Sequence, residues 1–276
     1  MVNRTFWKTC VRSVRSSFSR FFAIFAIVAL GCGFLAGLLV TTPDMRHSAS
    51  QYYHDTNLYD LRIIGSLGLE EGDAAAVAAV PGVEAVMPAH MTDREIVFAS
   101  GDTFVARLHG VRRFGSTGSA DMNRSLLVYG RWPQAENECV VEREYSLHDG
   151  VMGVGSTFTV LPQEEDEETL TCTEYTVVGV VTSGYYISMV QRGSTSVGNG
   201  TIGCIAYIAD SCFDLDYYTD LYVTVSGAFD QDAYTQAYDD TVAPVQQALE
   251  DLSEAQKHIR ADRLLQDAQD ALSDAR

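Results

Sequence analysis

The uncharged run FFAIFAIVALGCGFLAGLLV, from Phe21 to Val40, is the stretch of sequence that decides the architecture of this chain. A helix rises about 1.5 Å per residue, so a run of this length covers roughly 30 Å, the thickness of the hydrocarbon core of a bilayer. Twelve of its 20 residues are Phe, Ile, Leu or Val, which favour insertion into the bilayer. The run predicts a transmembrane helix over residues 21–40.

The charged residues on the two sides of this run differ in sign. All 37 Asp and Glu follow it, and the charged residues before it are Arg4, Lys8, Arg12, Arg15 and Arg20. The positive-inside rule therefore predicts a cytoplasmic amino terminus and an extracytoplasmic main domain at the plasma membrane. Residues 1–20 also read as a basic amphipathic segment. Its five basic residues are candidates for contact with the inner membrane surface, each attracted to anionic lipid by roughly 1 kcal/mol.

A cleaved signal peptide is the alternative interpretation of the amino terminus. The apolar region of such a peptide is usually about 7 to 15 residues long and ends at a site of small residues. Here the run is longer, and the sequence Leu38–Pro43 is a poor cleavage site. An uncleaved anchor is therefore favoured.

The part of the chain after the anchor is strongly acidic. Its 14 Lys and Arg face 37 Asp and Glu, a formal charge of −23 against −18 for the whole chain. Such a surface repels nucleic acid and anionic lipid, so neither is predicted as a partner of this domain. Five consecutive acids, residues 164–168, lack the spacing and central glycine of a calcium loop, and we interpret them as a solvated loop tip.

No catalytic motif is present in the sequence. The phosphate loop, the G-x-S-x-G elbow, H-E-x-x-H and a helix-opening G-x-G-x-x-G are all missing, and the six histidines lack metal-ligand spacing. We therefore predict no catalytic residue, cofactor or metal site. Four cysteines follow the span, Cys139, Cys172, Cys204 and Cys212, where oxidation is possible and three pairings are open.

The fold class predicted for the chain is α+β. A transmembrane helix (21–40) leads into an extracytoplasmic domain with a helical stalk (41–228), which holds about eight to ten strands and short helices. An amphipathic, coiled-coil-like helix follows (229–276). The predicted strands are 59–64, 83–87, 95–99, 103–111, 126–129, 139–141, 157–161, 175–182, 201–209 and 220–226.

Local signals add detail to this outline. Asp73 is a candidate cap for a short helix over 74–80, which makes residues 59–87 a strand–helix–strand unit. Two hairpins are predicted, one around Ser100–Asp102 and one across the acidic loop. Residues 183–200 read as a long exposed connection, which is often a functional feature.

The carboxyl-terminal segment carries an apolar stripe. We expect a helix from Asp230, with a kink or restart at Pro244. The stripe begins with Val245, Leu249, Leu252, Ala255 and Ile259 and continues, after a shift of phase, to Leu272. An amphipathic helix alone is marginal in water and needs a partner. Since no second helix follows it, we expect the chain to be part of a longer polypeptide.

Two further sets of residues are candidates for contacts. Gly33 and Gly37 form a G-x-x-x-G pair in the span, which lets another helix approach closely. Tyr185 and Tyr186 lie in the long connection and are candidates for a partner surface. Glycine is common in membrane spans and tyrosine is common in strands, so a purely structural role is the alternative for both sets.

Several segments, taken in order, resemble the amino-terminal portion of FtsX-like ABC transporter permeases of the MacB type. A basic amphipathic segment and a glycine-containing span come first. The extracytoplasmic segments similar to this family are DAAAVAAVPGVEAVMP, GRWPQAENECVVERE, GVGSTFTVL, YTVVGVV, YYISMVQRGSTSVGNGTIGCIAYI and DLYVTVSGA. The resemblance covers nearly the whole chain, although each motif is short.

This resemblance implies a MacB-like core domain and several partners. A separate cytoplasmic ABC ATPase would hydrolyse ATP, and further permease helices or a second permease copy would pack beside the first span in the lipid bilayer. The resemblance implies a role in export or in transmitting motion across the membrane. The chain departs from a complete permease because the later spans are missing from it. The alternatives are a signal-anchored binding or sensor module and, third, an anchored hydrolase for which no candidate acid stands out.

Overall fold

A computed structural model describes residues 4–116, 121–143, 152–162, 169–186 and 192–274. The acidic loop 164–168 lies outside these residues. The chain divides into two compact units, Met1–Ser50 and Gln51–Arg276.

The first unit is helical. Helix α1 (Arg4–Ser16) is followed by α2 (Phe18–Thr56), which contains the predicted span and passes through Pro43 without a break. Helix α2 is long and apolar enough to cross a membrane, and no other helix in the described residues is. The helical stalk predicted after the span is confirmed as far as Thr56.

Among the residues that the structure describes, the second unit contains ten strands, the end of α2 and two further α-helices, as the α+β prediction requires. The strands are β1 (Leu61–Leu69), β2 (Val83–Ala89), β3 (Met91–Phe98), β4 (Thr103–Val111), β5 (Ser125–Gly130), β6 (Glu138–Glu142), β7 (Thr157–Val160), β8 (Glu174–Ser183), β9 (Cys204–Ala209) and β10 (Tyr218–Val225). The helices are α3 (Glu71–Ala78) and α4 (Gln236–Asp274). All ten predicted strands are confirmed, with differences at their ends.

The large sheet curls into a closed barrel. Its order is β5-β8-β6-β9-β4-β3-β7, and β7 also pairs with the beginning of β8, through Thr157 and Thr176. Strand β5 pairs with the end of β8 and continues the sheet outside the barrel. Both predicted hairpins, β3–β4 and β7–β8, are confirmed as antiparallel pairs. Apolar side chains of all the barrel strands form one buried core, which excludes water from the barrel interior.

The small sheet has the order β1-β10-β2, and both outer strands run antiparallel to β10. The predicted strand–helix–strand unit is therefore correct in its elements, but β10 lies between its two strands. Buried residues of α3 and α4 cover this sheet and form its core, among them Val77, Val245 and Leu249.

Two details of the helices correct the sequence predictions. Helix α3 begins at Glu71 with Glu70 as its cap, and Asp73 is the third helical residue, whose carboxylate accepts the Glu70 N–H at 2.8 Å. The two residues form a reciprocal capping box, which satisfies two free helix-end donors. Helix α4 begins at Gln236 instead of Asp230 and runs through Pro244 without ending.

Candidate functional site

A groove of about 610 Å³ opens between the small sheet and the barrel. Its lining residues come from β1, β3, β4, β10 and the long connection after β8. They are Arg62, Ile64, Gly65, Leu67, Gly68, Met91, Arg107, Ser194, Tyr217, Thr219 and Asp220. The groove therefore exists only because the two sheets meet, and no single motif marks it.

An ion pair lies on the small-sheet side of the groove. Arg62 on β1 contacts Asp220 on β10 with an N–O distance of 2.6 Å, and the Asp220 side chain is only 1% exposed. Burial opposes the charge of Arg62, but Asp220 outweighs that effect and raises the pKa of Arg62 above its ordinary value. The arginine is thus held charged and fixed in position.

A hydroxyl joins this pair to the barrel. Thr219 Oγ1 donates to Asp220 Oδ2 at 2.7 Å and accepts the backbone N–H of Met91 at 2.8 Å. Met91 is the first residue of β3, so the hydrogen bonds run from the small sheet to the first barrel strand. The bond to the Asp220 carboxylate lies within β10 and fixes the Thr219 hydroxyl, because a hydrogen bond to a carboxylate is stronger than one between neutral groups. The bond from the Met91 N–H to that hydroxyl joins the two sheets.

A second ion pair lies on the barrel side. Arg107 on β4 binds both carboxylate oxygens of Asp93 on β3, and the two residues are cross-strand partners in the hairpin. Hydrogen bonding to Asp93 raises the pKa of Arg107. The same guanidinium donates to the Ser194 carbonyl at 3.2 Å, which fastens the long connection to the groove.

The long connection has another anchor deeper in the barrel. Arg192 is buried and pairs with Glu142 on β6 at 3.5 Å, and its guanidinium lies over the ring of Tyr186. Burial raises the pKa of Glu142 to about 7, against the opposing effect of Arg192. The connection was predicted to be exposed, whereas Ser183 and Arg192 are buried.

An aromatic cluster packs behind the arginines. The His109 ring stacks between Tyr185 and Tyr207, with centroid distances of 5.0 and 5.3 Å, and His109 Nε2 shares a 2.7 Å hydrogen bond with the Tyr186 hydroxyl. Burial, followed by the charges of Arg107 and Arg62, lowers the pKa of His109 to about 3. The imidazole is neutral at physiological pH and serves as a packing element with one fixed hydrogen bond.

This cluster contains the two tyrosines proposed for a partner surface. Tyr185 also packs against Tyr222 at 5.3 Å, and both Tyr185 and Tyr186 are half-buried against the barrel core. Their main contacts are therefore internal, and they support the groove from behind. A role in partner binding stays a prediction.

The other predicted contact residues lie in the first unit. Arg4, Lys8, Arg12 and Arg15 lie on α1, and Arg20 lies near the start of α2. The apolar side chains Phe6, Trp7 and Val11 are exposed. A Cβ added at Gly33 or Gly37 would meet none of the described residues within 4 Å. Membrane contact and helix packing by these residues stay predictions.

The sequence patterns did not predict the groove, although one of its two ion pairs could be expected from the hairpin β3–β4. Asp93 and Arg107 carry opposite charges, and extending the predicted hairpin by two residues before Glu95 pairs them directly. Arg62 and Asp220 are 158 residues apart in the sequence, so only the assembled sheet brings them together.

The groove combines paired charges of both signs with the exposed apolar side chains of Ile64 and Leu67. Two arginines and two aspartates lie in or beside the groove, and their formal charges balance. Within the described ranges, no three His, Cys, Asp or Glu side chains are grouped as metal ligands.

No protein-family model and no curated protein sequence matches this chain. Solved structures with a similar fold include the extracellular domain of the noncanonic ABC-type transporter YknZ from Gram-positive bacteria, at 12% identity and a TM-score of 0.37, covering 65% of this chain and 87% of that one. Another is the periplasmic region of MacB from Actinobacillus actinomycetemcomitans, at 15% identity and a TM-score of 0.38, covering 70% of this chain and 75% of that one.

Proposed function

We propose that the chain is the amino-terminal part of an FtsX-like, MacB-type ABC transporter permease, which couples a cytoplasmic ATPase to an extracytoplasmic domain. The observation that carries the proposal is the polarity across α2. Five basic residues precede one uncharged span, and all the acidic residues follow it. This is the arrangement of a protein whose first helix joins a cytoplasmic face to an external domain.

The ordered motifs support the proposal because they build the elements of the second unit. DAAAVAAVPGVEAVMP contains most of α3 and β2, GVGSTFTVL contains β7, and YTVVGVV contains most of β8. GRWPQAENECVVERE contains β6, and DLYVTVSGA contains most of β10. The resemblance therefore includes core strands of both sheets.

Contacts between the end of α2 and the residues around the start of α4 support a mechanical role. The Tyr53 hydroxyl contacts the Tyr234 hydroxyl at 2.5 Å, and the His54 and Phe229 rings lie 4.4 Å apart. The Tyr238 hydroxyl donates to Asp60 Oδ1 at 2.7 Å. The incoming segment is thus fastened to the segment that leads into α4, and β1 and β10 pair directly behind it. A displacement of the incoming segment would move the base of α4 with it.

A test of the proposal uses the complete reading frame that contains this chain, purified from membranes with an ABC ATPase encoded beside it. We expect the two to copurify and the permease to change the rate of ATP hydrolysis. Replacing Tyr238 with Phe, which removes the hydrogen bond to Asp60, is expected to weaken that change without preventing copurification. A reading frame with no further span and no bound ATPase would overturn the proposal.

The groove favours a second candidate function, an anchored binding or sensor module at the cell surface. Its support is the volume of about 610 Å³ lined by fixed polar groups. This function predicts that an Ile64→Asp variant no longer binds an extracellular ligand. It also predicts that the chain forms no complex with an ATPase. Detection of a stable ATPase complex would decide against it.

A further inference from the structure

The four cysteines of the second unit fall into two classes. Cys139 on β6 and Cys204 on β9 are buried in the barrel core. Val140 pairs with Tyr207, so Cys139 lies beside residue 208, four positions from Cys204. That offset is about 13 Å along a strand, beyond the roughly 7 Å limit for bridged Cα atoms. This pair cannot form a disulfide in the folded domain.

Cys172 and Cys212 are placed differently. Leu170 and Phe213 form an antiparallel bridge, and the Thr171 N–H donates to the Cys212 carbonyl at 2.9 Å. The two backbones are therefore held side by side, and the Cys172 and Cys212 side chains interact directly. The Tyr175 hydroxyl donates to the Cys172 carbonyl at 2.9 Å and fixes that side of the pair.

The two thiols differ in exposure, which sets the order of a reaction. Cys172 is half-buried, whereas Cys212 is fully buried. An oxidant from solution therefore meets Cys172 first. Burial raises the pKa of Cys212 to about 12, so its thiol is a poor nucleophile until a partner sulfur is presented directly beside it.

We propose that Cys172 and Cys212 form a reversible disulfide outside the cytoplasm. The oxidant is an external disulfide, from a small molecule or a protein. The Cys172 thiolate attacks it and releases one thiol, and Cys212 then loses its proton and attacks Cys172 in the mixed disulfide, which releases the second thiol. The two cysteines lose two electrons and two protons, and the external disulfide is reduced to two thiols.

The bond would close a loop of about 40 residues that holds β8, β9 and the long connection between them. Cross-linking a loop of this size restricts the unfolded chain. We expect the oxidised second unit to unfold at a temperature on the order of 10 °C above the reduced one. The connection that borders the groove would then be fastened covalently at the far end of β9 as well as by Arg107 and Glu142.

The test uses the full chain in detergent, with Cys10→Ser and Cys32→Ala to prevent links between molecules. The protein is treated with oxidised glutathione, denatured without reductant, alkylated and digested with trypsin. Cleavage after Arg143, Arg192 and Lys257 places Cys172 on 144–192, and Cys204 and Cys212 on 193–257. We expect these two peptides to be linked, with Cys139 alkylated.

Cysteine variants identify the two residues that the disulfide joins. The link is expected to persist in Cys204→Ala and to disappear in Cys172→Ser, which changes a half-exposed side chain and leaves the core intact. Four alkylated thiols after oxidation, or a link that Cys204→Ala removes, would overturn the proposal. The reaction is measured on purified protein, so its failure says nothing about the orientation in the membrane, which is measured separately.

Discussion

Arg107 and Asp93 lie opposite each other on β4 and β3, and the arginine binds both carboxylate oxygens at 2.7 Å. Both side chains are largely buried, with 12% and 16% of their surface exposed. The pair joins the hairpin to the long connection through Ser194. It therefore links the stability of the barrel to the shape of the groove.

Replacing Asp93 with Asn is expected to destabilise the second unit strongly. The change leaves the Arg107 charge buried without its carboxylate partner, which costs about 3 kcal/mol in comparable pairs. Urea unfolding followed by circular dichroism measures the loss. The double variant Asp93→Asn with Arg107→Met removes both charges and should be more stable than the single variant.

A matched control for that experiment lies on α4. Lys257 and Glu254 form an ion pair at 2.6 Å, and their side chains are 64% and 69% exposed. Glu254→Gln is expected to leave the unfolding midpoint unchanged, because exposed pairs contribute little. Equal losses of stability in Asp93→Asn and Glu254→Gln would contradict the claim that burial makes the hairpin ion pair important for stability.

His109 is expected to make the domain sensitive to acid. Its folded pKa is about 3, whereas histidine in an unfolded chain titrates near 6.5. Between these values the unfolded state binds a proton that the folded state does not, so stability falls as the pH falls through this window. At pH 5 the loss from this residue is about 2 kcal/mol relative to pH 7.

The variant His109→Gln isolates this contribution, because glutamine has a similar reach and does not titrate. We expect the difference in unfolding free energy between the natural chain and the variant to shrink as the pH falls from 7 to 5. Circular dichroism in urea at both pH values measures it. A constant difference would show that His109 takes up a proton in the folded state.

The first turns of α4 bury apolar side chains on the small sheet. Further along the helix the contact is polar, because Arg260 donates to the backbone carbonyls of Leu67 and Gly68 in β1. Leu249 is 7% exposed, whereas Ile259 and Leu265 are 61% and 62% exposed. Leu249→Ala is expected to destabilise the domain by about 2 to 4 kcal/mol, because it leaves a cavity in a packed core. Ile259→Ala should have no effect on the isolated chain in the same urea titration. If the stripe packs on another helix in a complex, Ile259→Ala should weaken that complex alone.

Gly33 tests the packing of the membrane span. Gly33→Leu keeps the helix apolar but adds bulk where a G-x-x-x-G contact needs a small residue. We expect the variant to insert normally and to assemble less with other permease helices, as measured by native gel electrophoresis of solubilised membranes. Gly31→Leu, on another face of the same helix, is the matched control and should assemble normally. Equal behaviour of the two variants would remove Gly33 from the contact.

Local sequence patterns were enough to predict most helices and strands of the fold. The hairpin β3–β4 follows from two β-rich runs around Ser100–Asp102, and α2 follows from its apolar length. Asp73 was predicted to be the cap of a helix over 74–80, whereas Glu70 is the cap and Asp73 is the third helical residue. The sequence could not separate the two positions, since acidic residues are favoured throughout the first turn.

Pairings between strands that are far apart in the sequence could not be predicted. Strand β10 inserts between β1 and β2 although about 130 residues separate it from β2, and β4 pairs in parallel with β9. The groove depends on both pairings, because Arg62 and Asp220 meet on the small sheet while Arg107 belongs to the barrel. Alternation along a strand shows which side a residue faces, but it does not show which strand lies beside it.

The orientation of the chain in the membrane is the central claim, and thiol labelling in intact cells tests it most directly. Cys10 is exposed on α1, and Ser100 is exposed in the β3–β4 turn. In a Cys172→Ala background, a membrane-impermeant maleimide is expected to label Ser100→Cys in intact cells, and to label Cys10 only after the membrane is permeabilised. Labelling of Cys10 in intact cells, with Ser100→Cys protected, would contradict the account.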